Sequence, residues 1–246
     1  MTREAESQTA AAVRARLEQA PAESYLRDFV YGAIDGAVTT FAVVAGVQGA
    51  NLDEAVVIIL GAANLIADGF SMAVSNFLGS RAERQRRELA RREEKRQIRH
   101  TPEEEREEIR QIFAAKGFRG EDLERAVDVI TADERIWVET MMTEELGFAA
   151  SAPNEFRAAL ATLVAFVTVG FLPLAVFVYD ALVPGEVASP FAWSAVMTAV
   201  AFFAVGALKS RFVEQGWIRS GAETLAVGGL AALLAYAAGS FLQGVA

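Results

Sequence analysis

Residues 55–99 read AVVIILGAANLIADGFSMAVSNFLGSRAERQRRELARREEKRQIR. As far as Leu78 the run is apolar and reaches the roughly 20 residues needed to cross the hydrocarbon core of a bilayer. After Gly79 it continues without Gly or Pro through nine basic and four acidic residues in 81–99. The pattern predicts one helix that spans the membrane and then carries charge into water. Four further apolar runs, 29–49, 158–179, 191–208 and 222–243, predict four more spans. The expected fold is an all-α integral membrane protein with five transmembrane helices and a cytoplasmic three-helix insert between helices 2 and 3.

The distribution of charge explains an unusual composition. The 246 residues combine a mean hydropathy of +0.26 with 22% charged residues and a net charge of −9. All 23 basic residues lie in 1–28, 81–157 and 209–219, which fall on one side of a five-span topology. The positive-inside rule therefore predicts a cytoplasmic N-terminus and insert. The expected organisation is a tail at 1–28, spans 1 and 2 at 29–80, the insert at 81–157 and spans 3 to 5 at 158–246. The tail lacks the apolar core of a signal peptide and reads as an Ala-rich, mixed-charge helix or frayed end. An Arg to Lys ratio of 20 to 3 hints at a GC-rich bacterial source and a bacterial inner membrane.

The insert divides by charge. Its 81–99 stretch is net +5, enough to attract anionic membrane lipid by ~1 kcal/mol per basic residue near the surface. Residues 100–155 carry fifteen acidic and six basic residues. Thr101-Pro102-Glu103-Glu104 predicts a helix start with a Thr cap and a capping box, running to about Ala115. Two further helices are expected after Gly120 and from Asp133 to Leu146.

Several chemistries are excluded by composition. Without cysteine there is no disulfide, thiolate ligand or cysteine nucleophile. One histidine, His100, does not supply the two Glu-x-x-His repeats of a carboxylate di-iron centre. The net acidic chain disfavours nucleic acid as a partner. No nucleophile–base constellation or cofactor motif appears, so no enzyme and no prosthetic group are expected.

Two acids remain deep in the apolar runs, Asp35 and Asp68. A carboxylate there costs about 2.5–3.5 kcal/mol on insertion scales and needs a partner or a purpose. It either hydrogen-bonds a neighbouring helix or serves a cation or proton. Asn64, Asp68 and Met72 recur every four residues, with Ser71 and Ser75 beside them, and Asp35 has Thr39 four residues on. Hard oxygens with a thioether suit Fe²⁺ or Mn²⁺ better than Mg²⁺ or Ca²⁺. In the insert, Glu134, Val138, Met141, Met142 and Glu145 share a broad helix face, and Glu105 and Glu108 are surface neighbours. Charge runs are commonly solvated faces, but an adjacent Met pair beside Glu favours metal.

RDFVYGAIDGAVTTFAVVAGV (27–47) and ANLIADGFSMAVSNFLGSRAE (63–83) resemble the vacuolar iron transporter family, as do ETMMTEELGF (139–148) and VGFLPL (169–174). The resemblance covers roughly 27–244 and suggests a bacterial-type member. It implies a dimeric five-span exporter of Fe²⁺ or Mn²⁺ from the cytosol, driven by proton exchange. It also implies a metal path through Asp35 and Met72, and insert ligands at Glu94, Glu105, Glu108, Glu145, Met141 and Met142. The sequence departs from plant-type members at two glutamate positions. Asn64 stands at one, with Asp68 a turn later as the replacement acid, and Gln97 stands at the other. The expected partners are divalent metal ions, protons, membrane lipid and a second copy. The alternatives are a non-transporting membrane metal sensor or buffer, and a transporter of another divalent cation.

Overall fold

Apolar and charged runs punctuated by Gly, Pro and Asx residues fold into nine α-helices and no strand among the described residues. In this computed structural model those are residues 25–149 and 154–244; most of the expected N-terminal tail, 1–24, lies outside them. The helices are α1 (Leu26–Gly49), α2 (Glu54–His100), α3 (Pro102–Ala115), α4 (Gly120–Thr131), α5 (Glu134–Glu144), α6 (Glu155–Gly170), α7 (Leu172–Leu182), α8 (Pro190–Lys209) and α9 (Trp217–Gln243). Four of them, α1, α2, α8 and α9, are long and apolar enough to cross a bilayer, and α6 with α7 makes a fifth if the pair is one span. The chain is an all-α integral membrane protein. Its described residues form two compact units, 25–78 with 154–244, and 79–149, and α2 contributes to both.

In the apolar unit α1 is central, with α6, α7, α8 and α9 as neighbours. Its Val30, Ala33, Ala37, Phe41 and Val44 recur at three- and four-residue steps and are buried. Phe41 and Val44 join Val57, Leu65, Phe166, Leu174 and Phe177 in one core cluster. More than half of the apolar window of α1 is buried, whereas α2 leaves most of its own uncovered, including Ile59, Ile66 and Phe70. Close helix approach comes from Gly36, where a Cβ would collide with the Phe166 carbonyl of α6. Reciprocally, a Cβ on Gly170 would sit 2.8 Å from the Gly36 carbonyl oxygen. Small residues at such a crossing let two backbones touch.

The third apolar run is not one straight helix. It breaks between Gly170 and Leu172 and bends by 49°. Pro173 is the cause: it has no N–H for the preceding turn, and its ring crowds the carbonyl four residues back. The buried Ser194 hydroxyl of α8 donates to the Pro173 carbonyl at 2.6 Å, tying the break to a neighbouring helix.

The charged unit has its own core of Ile98, Ile109, Val127, Trp137, Val138, Met141 and Met142. Burial of each large side chain contributes roughly 1.5–3 kcal/mol, against about 0–1 kcal/mol for an exposed ion pair, so this core dominates its stability. Ion pairs set its register. Arg87 and Arg91 of α2 meet Glu139 of α5, and Arg99 meets Glu134 at 2.9 Å. Arg106 holds Asp128, Arg110 holds Glu124 and Glu107, and Lys116 holds Glu144. Much of the basic stretch expected to attract lipid is thus engaged with acids of its own unit. One local expectation fails: the Thr101 hydroxyl does not cap α3 but donates to the Gln97 carbonyl at 3.2 Å. With no linker after His100, Thr101 is used to close α2. Asp133 does cap α5, accepting from Arg135 N and Ile136 N.

Candidate metal sites

The polar stripes of α1 and α2 meet. The Asn64 amide donates to the hydroxyls of Thr39 at 3.2 Å and Thr40 at 3.4 Å, and Thr39 donates to the Asp35 carbonyl at 2.9 Å. At the other end of the stripe, Asn76 donates to Asp28 Oδ1 at 2.9 Å. Hydrogen bonds at opposite ends, from Asn64 and from Asn76, hold the same side of α2 against α1. Their antiparallel register puts Asp68 level with Asp35, and Met72 level with Tyr31 and Gly32. Asp35 lies close enough to Asp68 to feel its charge. Both are half-buried, as are Asn64 and Met72. Among the described residues neither carboxylate receives a side-chain hydrogen bond or an ion pair, so the reading as an acid tied to a neighbouring helix finds no donor here. Ser71 and Ser75 are exposed on a different side of α2 and do not extend the stripe.

A third acid belongs to this set. Asp28, in the first turn of α1, is only 9% exposed. The Asn76 amide that donates to it also donates to the buried Thr162 hydroxyl of α6 at 2.8 Å. Starting the first span at residue 29 excluded Asp28 from the intramembrane acids. Its signal was present: it lies seven residues before Asp35, and Asn76 lies four after Met72.

In the charged unit, Glu94 of α2 and Glu105 of α3 are 5% and 4% exposed. One oxygen of each carboxylate is buried without a hydrogen-bond partner. Burial first, and then the charges of Glu145, Glu105, Glu108 and Glu93, push the Glu94 carboxyl up to about 7. Burial and then Glu108, Glu145 and Glu104 push Glu105 up to about 7 as well. Glu145, just past α5, is raised by burial and by Glu108. These four carboxylates, from α2, α3 and the residue that ends α5, therefore share one electrostatic neighbourhood. Among the described residues none of them pairs with Lys or Arg, whereas Glu107, Glu124, Asp128, Glu134, Glu139 and Glu144 all do.

The methionines lie inward. Met141 and Met142 are fully buried in the core formed with Ile98, Ile109 and Trp137, so each already has a packing role. Glu134, predicted on their face, pairs instead with Arg99. Gln97 is half-buried one turn from Glu94, and His100 is exposed with its Nδ1 at 2.9 Å from the Arg96 carbonyl. Among the described residues no three acidic or imidazole groups are drawn together as a closed ligand set. The glutamates form an open cluster that a cation could close. Orphaned carboxylate oxygens without a basic partner among the described residues have the hard-ligand chemistry for a divalent ion.

Comparison with known proteins agrees in extent. Residues 26–240 match the VIT family. The chain is 34% identical over 225 residues to a vacuolar iron transporter of Toxoplasma gondii, covering 89% of this chain and 74% of that one. It is 30% identical to a vacuolar iron transporter of Plasmodium berghei, over 90% of this chain and 83% of that one. It is 29% identical to vacuolar iron transporter 1 of Arabidopsis thaliana, over 89% and 86%.

Proposed function

The chain belongs to the VIT family, and we propose that it is a proton-coupled exporter of Fe²⁺ and Mn²⁺ from the cytosol. Its relatives named as iron transporters make it a metal transporter rather than an enzyme. One observation carries the proposal: Asp35 and Asp68 stand level on two apolar helices, and among the described residues neither carboxylate has a side-chain hydrogen bond or an ion pair. Two such acids cannot both remain charged in a low-dielectric environment without a neutralising partner. A divalent cation or protons can each supply that charge, and exchange between them is antiport. Met72, one turn along the stripe, adds a softer ligand that favours Fe²⁺ and Mn²⁺ over Mg²⁺ and Ca²⁺.

The insert is the cytoplasmic capture module in this proposal. Glu94, Glu105, Glu108 and Glu145 take the metal, and the Glu94 and Glu105 carboxyls, pushed up to about 7, release protons as it binds. Met141 and Met142 offer thioethers from the core beneath. The uncovered apolar side of α2 fits a second copy of the chain, which would bury Ile59, Ile66 and Phe70 away from lipid.

The test is metal uptake into inside-out vesicles. Asp35→Ala and Met72→Ala are each expected to abolish Fe²⁺ and Mn²⁺ uptake, and its accompanying proton efflux, while leaving the melting temperature unchanged. Wild-type uptake in both variants would remove the pathway.

A further inference from the structure

We infer that Asp28, Asn76 and Thr162 form the loading station of this pathway, an all-oxygen site that takes the divalent cation before it reaches Met72. The inference rests on the transport proposal above and extends it to residues outside the Asp35–Asp68–Met72 set.

Three helices converge there. Asp28 comes from α1, Asn76 from α2 and Thr162 from α6, and a single amide bridges the other two side chains at 2.9 and 2.8 Å. The Thr162 hydroxyl itself donates back to the Ala158 carbonyl at 3.1 Å. Asp28 is nine-tenths buried, and among the described residues no Lys or Arg pairs with it and Asn76 is its only side-chain donor. The N-terminus of α1 favours an anion at this position but does not neutralise one.

A hydrogen-bonded tie between helices does not need that charge. An Asn or Gln at position 28 would accept the same N–H without the cost of burying a carboxylate. The charge is explained if a cation visits. Asn76 is then the neutral stand-in of the empty state, its N–H group occupying the place that the ion takes. When the ion enters, the amide turns its oxygen inward, and Asp28, Asn76 and Thr162 present carboxylate, amide and hydroxyl oxygens.

Register gives the station its order in the path. Asn76 is four residues, about 6 Å of helix, from Met72, and Asp28 is seven residues, about 10 Å, from Asp35. Met72 therefore lies between the Asp28–Asn76 pair and the Asp35–Asp68 pair. In the proposed topology the Asp28 end faces the cytosol. Hard oxygens accept Fe²⁺ and Mn²⁺ alike, so discrimination between metals belongs to Met72 and not to the entrance.

The experiment uses the full chain in proteoliposomes with an imposed pH gradient, reading entry of Fe²⁺ and of Mn²⁺ separately by quenching of an entrapped dye. Asp28→Asn keeps an acceptor for Asn76. It is expected to raise the half-saturating concentration of both metals about tenfold, with the maximal rate within twofold and the melting temperature unchanged. Asp28→Glu should recover part of the affinity. If Asp28→Asn transports nothing, the exchange Asp28→Asn with Asn76→Asp returns a carboxylate to the station. Recovered uptake then supports the inference, and continued loss in a folded protein overturns it. A wild-type half-saturation for Asp28→Asn also overturns it and reduces the trio to a structural tie. That failure is separate from failure of the transport proposal, which shows instead as intact uptake in Asp35→Ala and Met72→Ala.

Discussion

The two candidate metal sites leave carboxylates unpaired by opposite routes. In the apolar unit no basic side chain among the described residues pairs with Asp35 or Asp68, and the proposal gives their charge compensation to an ion or a proton. In the charged unit arginines are abundant, and many are committed to other acids: Arg87 and Arg91 to Glu139, Arg99 to Glu134, Arg106 to Asp128, and Arg110 to Glu124 and Glu107. Glu94, Glu105, Glu108 and Glu145 have no such partner among the described residues, and burial with the neighbouring acids pushes Glu94 and Glu105 up to about 7 and raises Glu145. The first site is exceptional because of where it lies. The second is exceptional because it gathers four acids that lack a basic partner among the described residues, two of them buried. A count of acidic residues would have found neither distinction.

The largest effect expected from that contrast is on transport. Asp68→Asn should lower the maximal rate of Mn²⁺ uptake by 100-fold or more, because it removes a charge that the crossing ion must meet. Glu105→Gln should instead raise the half-saturating metal concentration several-fold and leave the maximal rate within about twofold, since capture precedes crossing. Equal loss of maximal rate in both variants would make the insert part of the conduction path and erase the contrast.

An intermediate effect is expected on stability against pH. Glu94 and Glu105 titrate near 7 in the fold and near 4.5 when unfolded, so the metal-free fold binds more protons between those values. Their contribution favours the fold below pH 4.5 and is lost as pH rises through 7. With Trp193 and Trp217 replaced by Phe, Trp137 in the insert core reports melting of that unit. Metal-free protein should melt at a lower temperature at pH 8 than at pH 6, and saturating Mn²⁺ should narrow or invert the gap. A metal-free melting temperature that rises from pH 6 to pH 8 would contradict burial as the source of the shift.

The smallest effect separates packing from ligation at the methionines. Met141→Leu with Met142→Leu conserves volume, a change that usually costs below about 1.5 kcal/mol per site in a core. The expected outcome is a nearly unchanged melting temperature and a several-fold weaker response to Fe²⁺ than to Mn²⁺ in titrations of the full chain. Unchanged titrations for both metals would leave the pair as core fillers.

Much of the local structure was legible because it depends on neighbours in the chain. The apolar runs predicted the membrane helices, Pro102 and Gly117 bracketed α3, and the four-residue recurrence of Asn64, Asp68 and Met72 predicted their common side. Where several local outcomes compete, the sequence was ambiguous. Thr101 can cap the helix it precedes or close the one it follows, and only the abrupt junction at His100 decides. Asp28 sits at the edge of an apolar run, where moving a boundary by one residue changes an acid from tail to membrane. The bend at Pro173 could be anticipated from chemistry, but not its size.

By itself the sequence determined an all-α membrane protein with its charges segregated and a few acids left in apolar surroundings. Those properties follow from hydropathy and helical period, which are sums over near neighbours. Only the tertiary structure decided that Asn76 joins Asp28 to Thr162, that Asp68 lies level with Asp35, and which glutamates of the insert go without an arginine. Each of these depends on contacts between residues tens of positions apart. Electrostatic pairing acts over a few ångströms of space and is blind to distance along the chain.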